Sequence, residues 1–280
     1  MSDLAATFLI ALWGIGVNWI AYKRGYYKLP QVSAPTVLFR NIIAIFLIYM
    51  GMMYIVGPFV GNMLFSLSKP MPPPAALLSF LQLFLMAALL VIFYGYAQTA
   101  GHGFFRKVWK NTSAPHAEPI YIDIAMGMMT WVLSFPFVVV VGQLLDFFIY
   151  AIFGVENYEQ VAVRYLKTTM GSPSQLIFAL GTILLLAPAI EEFLFRGCLQ
   201  TFFKRHLGTK SAILLSSLCF ALFHYASSQG VGNISLIGSL FVFACFLGFI
   251  YERQSSLFAS IGLHMTFNLA SAIRIVWGGE

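Results

Sequence analysis

About eight apolar runs, each long enough for a helix to cross a bilayer, punctuate this chain: 4–22, 36–58, 75–98, 122–150, 174–203, 211–228, 233–251 and 256–277. A hydrocarbon core of about 30 Å takes about 20 apolar residues in an α-helix. In lipid every backbone polar group needs a partner within the protein, which leaves helices or closed barrels, and runs of this length select the helix. The expected fold is all-α, a polytopic membrane helical bundle of about eight transmembrane helices. The fourth and fifth runs exceed a bilayer's thickness, with Pro136 and Pro188 as expected break points. Composition agrees: 60% of the 280 residues are hydrophobic and 9% charged, with a mean hydropathy of +0.83, outside the balance of a soluble domain. The first run has Asp3 before it and neither a basic leader nor a small-residue cleavage site, so it reads as a retained span.

The net charge of +6 is no sign of nucleic acid, because the basic residues sit in short loops between runs. They favour the odd loops: Lys23, Arg24 and Lys28, then Arg106, Lys107 and Lys110, then Lys204, Arg205 and Lys210, then Arg253. Even loops hold Lys69, Arg164 and Lys167. Positive charge marks the cytoplasmic side, so both termini are expected outside, in an integral, multi-pass protein of the plasma membrane in a prokaryote or of endomembranes in a eukaryote. Cys198, Cys219 and Cys245 lack metal-ligand spacing and read as buried small side chains. "SKPMPPPAA" at 68–76 is a stiff connector, and the basic, aromatic stretch with His102 and His116 suits an interfacial loop. Before the fifth run a short amphipathic helix is expected, with Tyr158, Val161, Tyr165 and Leu166 on one face. The chain divides into 1–118, N-terminal transmembrane helices and interfacial loop, and a membrane core over 119–280.

Charges inside the runs demand a reason, since an ionisable side chain at mid-bilayer costs several kcal/mol and normally faces a protein interior or water. The fifth run continues into "EEFLFRG" with Glu191, Glu192 and Arg196, the sixth holds "FALFHY" with His224, and the eighth holds "HMTFN" with His264 and Asn268. At 1.5 Å per residue from Lys204, Ser211 and Arg253, the three motifs lie about 20, 20 and 16 Å deep. They can meet at one level around a polar cavity. Glu192 and Arg196 are an i, i+4 acid–base pair in the favourable order. Glu191, about 100° around the helix, is left without a local counter-charge. His264 and Asn268 share one face of their helix.

A carboxylate withdrawn from bulk water can take a proton and return it, which suits Glu191 as a general base for water. His224 can orient that water and exchange protons. An imidazole N–H and an amide one turn apart, from His264 and Asn268, can serve a developing oxyanion. Zinc is an alternative, with Glu191, His224 and His264 as ligands and water in the fourth position. No HExxH is present and the motif does not demand a metal, so no cofactor is favoured. Gln143 and Asp146 on the fourth run are further candidates for lining the cavity.

The ordered motifs E-E-x-x-x-R, F-x-x-x-H and H-x-x-x-N on successive membrane helices resemble the CPBP family, also called Abi or CAAX prenyl protease type II, over roughly 119–280. The resemblance implies an intramembrane endopeptidase with a water-accessible cavity. Glu191 and His224 would activate water, His264 and Asn268 would form the oxyanion site, and Glu192 and Arg196 would support them. The implied partners are membrane lipid and a membrane-associated or lipidated peptide or protein, of CAAX or leader/bacteriocin type, not nucleic acid. Two other classes stay open: a proton-coupled membrane transporter using Glu191, His224 and His264 as a relay, and a non-catalytic immunity or scaffold protein on the same fold.

Overall fold

The structure is a computed structural model that describes residues 4–68, 75–99, 104–114, 117–155 and 160–278. The chain is helical throughout: α1 (Leu4–Lys23), α2 (Phe39–Leu67), α3 (Ala75–Thr99), α4 (Phe104–Trp109), α5 (Ile120–Phe153), α6 (Val161–Thr169), α7 (Pro173–Leu207), α8 (Thr209–Phe223), α9 (Gly232–Gln254) and α10 (Leu257–Trp277). Among the described residues the only β-type pairing is an isolated bridge between Lys110 and Ser256. Among the described residues six helices, α1, α2, α3, α5, α7 and α9, are long and apolar enough to cross a membrane. The protein is an integral, multi-pass membrane protein.

The other two expected spans differ from the sequence reading. The run at 211–228 stops short, because α8 ends at Phe223 and His224 leaves helical geometry at φ −89°, ψ 4°; its 15 residues reach only about 22 Å. The helix at the eighth run, α10, has 21 residues and carries His264, Asn268 and Arg274; it is not among the six.

A break is expected at Pro136 in the fourth run, yet α5 continues through it for 34 residues. Beside it, Asn18 Nδ2 on α1 donates to Leu133 O at 3.0 Å, next to the Val132 carbonyl that Pro136 leaves without its i−4 donor. Pro136 also packs on Gly14, where an added Cβ would come within 2.6 Å of the proline's own. Gln143 belongs to the same contact, since Thr7 Oγ1 donates to Gln143 Oε1 at 2.7 Å. It clamps α1 to α5 instead of lining a site.

In α7, which carries the acidic motif, the backbone departs from α-helical register twice. Thr182–Leu186 and Phe193–Gln200 are π-helical, as is Met52–Val56 in α2. Such wide turns recur at functional sites. Gly208 at φ 78° makes the sharp joint between α7 and α8 that an L side chain would resist. Against the other side of the site, α5 and α10 cross with their backbones almost touching. A Cβ on Gly127 would lie 2.0 Å from Ala259 O, and one on Gly262 would lie 2.7 Å from Ile124 O.

The basic loops gather at one end. Lys110 pairs with the buried Asp123, Lys204 with Glu252 at 2.5 Å, and Arg253 donates to Tyr26 O at 2.5 Å. Helix α6 forms where an amphipathic helix was expected, but its inward residues are Leu166 and Thr169, while Val161 is exposed. Tyr158, Lys69, His102 and His116 lie outside the described residues.

Candidate active site

Helices α7, α8 and α10 each bring polar groups to one place. Burial is deepest on α7: Glu192 and Arg196 are fully buried. Arg196 Nη1 donates to Glu192 Oε1 at 3.1 Å and its Nη2 donates to Ala244 O at 3.0 Å, while the guanidinium lies 4.5 Å from the centre of the Phe220 ring. A charge stripped of water needs this many partners. The anticipated i, i+4 pair therefore forms, and α9 and α8 help to hold it.

Glu192 also holds the second histidine. His264 Nδ1 lies 2.9 Å from Glu192 Oε1. Phe220 and Phe243 present themselves edge-on to its ring, at 5.9 and 5.5 Å between centroids. His224 Nδ1 lies 2.8 Å from Phe220 O. A carboxylate and a carbonyl can only accept, so both Nδ1 atoms donate, and each ring presents Nε2 to whatever stands opposite.

That group is Glu191. Its Oε2 lies 3.8 Å from His224 Nε2 and 3.8 Å from His264 Nε2. These separations exceed a direct hydrogen bond and fit one small polar atom addressed by all three groups. Exposure is graded: the His224 side chain is 30% accessible and Glu191 18%, against 7% for His264. Glu191 and His224 thus form the more open side of the site, while His264 and Glu192 form its buried wall.

Asn268, expected one turn above His264, is turned partly toward backbone. Its Nδ2 donates to Ile183 O at 2.9 Å, in the first π-helical stretch of α7. One of its two amide hydrogens is thereby committed. An apolar cavity of about 290 Å³ lies alongside, lined in part by Leu184, Leu185, Met265, Thr266 and Leu269.

Sequence reading missed Tyr49. Its ring sits 5.5 Å from that of Phe223, the residue before His224. Phe46, one turn earlier on α2, packs edge-on to Phe195 at 5.6 Å. A tyrosine in an apolar run carries no local mark of such a role; only the packing of α2 against α7 and α8 reveals it.

Among the described residues no group of three or more His, Cys, Asp or Glu side chains is arranged to hold a metal ion, and Glu191, His224 and His264 form no such set.

Residues 173–270 match a family described as "Type II CAAX prenyl endopeptidase Rce1-like". The matched stretch opens with α7 and contains Glu191, Glu192, Arg196, His224, His264 and Asn268. No curated protein matches the chain, and no solved structure does. Residues 173–270 of this polytopic membrane protein are thus similar to a CAAX-protease-type domain.

Proposed function

We propose that this domain is an intramembrane endopeptidase in which Glu191 activates water to hydrolyse a peptide bond of a membrane-associated substrate. The observation that carries the reading is the equal 3.8 Å approach of Glu191 Oε2 to Nε2 of His224 and of His264, in a domain matched to a membrane protease family. A water between them donates one hydrogen to Glu191 and the other to His224 Nε2, which aims its lone pair at the scissile carbonyl carbon. As the O–C bond forms, the proton passes to Glu191. The developing oxyanion takes one N–H donor from Asn268 and a second from His264 Nε2, a donor in the form of His264 that enters the step already protonated on both nitrogens, with Nδ1–H directed at Glu192. Collapse of the tetrahedral intermediate breaks the C–N bond. Glu191 returns its proton to the amine, leaving a carboxylate and a free amino terminus.

The surrounding groups serve that step. Glu192 and Arg196 keep His264 oriented, as an outer shell does for a reacting one, and the graded exposure supports a polar, water-reached pocket. The apolar cavity beside Leu184 and Leu269 supports a substrate that reaches the site with a hydrophobic segment. Purified protein given a quenched peptide library in lipid nanodiscs tests the proposal. Cleavage that Glu191→Gln abolishes is the expected result, and an unchanged rate in that variant removes Glu191 as the base.

A further inference from the structure

Pro188 falls immediately after the π-helical stretch Thr182–Leu186. At the end of that stretch the Ala187 N–H donates to Thr182 O, a bond from residue i to i−5. In the same register the next donor, at position 188, would serve Ile183 O. Proline has no N–H to give. A carbonyl withdrawn from water without a donor is costly; Ile183 O is part-buried, and its donor comes from another helix: Asn268 Nδ2, at 2.9 Å.

A second asparagine close to a helix proline offers a contrast. At Pro136, Asn18 gives amide hydrogens to Leu133 O at 3.0 Å and Gly14 O at 2.9 Å, and its Oδ1 accepts from Tyr27. Asn18 is wholly absorbed by structure. Asn268 makes one such bond among the described residues and stands one turn from His264. A primary amide is planar with its two N–H bonds about 120° apart, so anchoring one fixes the direction of the other.

We propose that Pro188 is a positioning residue: by leaving Ile183 O without a backbone donor it engages one N–H of Asn268 and aims the second at the reacting carbonyl. This rests on the hydrolase reading for its catalytic part, but the pairing of Pro188 with Asn268 can be measured without turnover. The proline thereby does more than bend α7. It turns a backbone carbonyl into an anchor that holds an oxyanion donor in place before substrate arrives, the preorganisation on which such donors depend.

A double-mutant cycle in thermal stability tests the pairing. In the wild-type background Asn268→Leu strands the carbonyl and is expected to lower the unfolding midpoint by about 3–8 °C. In a Pro188→Ala background the backbone N–H restored at that position can serve Ile183 O, so the same change is expected to cost less than half as much. Equal losses in both backgrounds overturn the pairing. If Asn268→Leu does not accumulate as folded protein, Asn268→Ala gives the same comparison. Turnover then tests the aim. Pro188→Ala is expected to reduce kcat about tenfold or more at nearly constant KM, while Asn268→Asp, which cannot donate, loses activity equally in both backgrounds. Coupled stabilities with an unchanged kcat in Pro188→Ala overturn the orienting role. A wild type that cleaves no peptide defeats the hydrolase reading, whereas the stability cycle still decides the pairing.

Discussion

Helices α1 and α9 are both apolar and of similar length, yet they have opposite surroundings. Within α1 11% of the spanning window is buried inside the protein, the same as for α2, whereas 39% is buried in α9 and 33% in α7. On α1, Phe8, Leu9, Trp13 and Trp19 face outward, toward the lipid that such surfaces match. On α7 and α9 the equivalent apolar mass wraps Arg196, Glu192 and Gln200. Apolar side chains act as solvent-matching surface in the first region and as insulation for buried charge in the second. The buried Glu192–Arg196 pair sits in the second region, where α9 and α10 add partners through Ala244 O and His264.

The sharpest way to break this contrast is to unpair the insulated charge. Arg196→Leu leaves Glu192 buried without its cation and is expected to destabilise the protein by about 3–5 kcal/mol, read as a lowered unfolding midpoint in detergent. A midpoint near wild type would mean that the pair is solvated after all. Next is His224→Phe, which keeps the ring volume against Phe220 but removes the Nε2 facing Glu191. Peptide cleavage should fall about a hundredfold with stability held. At the α5–α10 crossing, Gly127→Ala forces a Cβ into the Ala259 carbonyl, and overpacking of this kind costs about 1–3 kcal/mol; the unfolding midpoint reads it. On the lipid side, Trp13→Leu is expected to stay within about 0.5 kcal/mol of wild type, and a larger loss would show that α1 packs against something more than lipid. Smallest of all is the effect of a strong chelator, which should leave turnover unchanged in a site whose chemistry is done by protein groups; loss of cleavage restored by zinc would reverse that.

Much of the frame was legible because hydropathy and helical spacing are local. Each apolar run did become a helix, and the Glu192–Arg196 bond follows from two side chains four residues apart. Equal depth of the three motifs could be counted from the basic loops, and their convergence in space agrees with that count. What escaped depends on groups distant in the chain. The bond between His264 and Glu192 joins residues 72 apart. The bond from Asn18 to Leu133 O, near Pro136, joins residues 115 apart. The π-helical register of α7 has the same character, since a wide turn is stable only where a neighbour supplies the missing donors. The early end of α8 at Phe223 followed an apolar run that carried no Gly or Pro stop signal, and Tyr49 looked like any aromatic residue in a span.

The most direct measurement is the turnover of Glu191→Gln beside wild type on a cleaved peptide, with unfolding midpoints recorded on the same preparations. The expected result is a fall in kcat of about 10²–10⁴ at an unfolding midpoint within a few degrees of wild type. Full turnover in the Gln variant would contradict the assignment of water activation to Glu191, and with it the reading of α7, α8 and α10 as one hydrolytic centre.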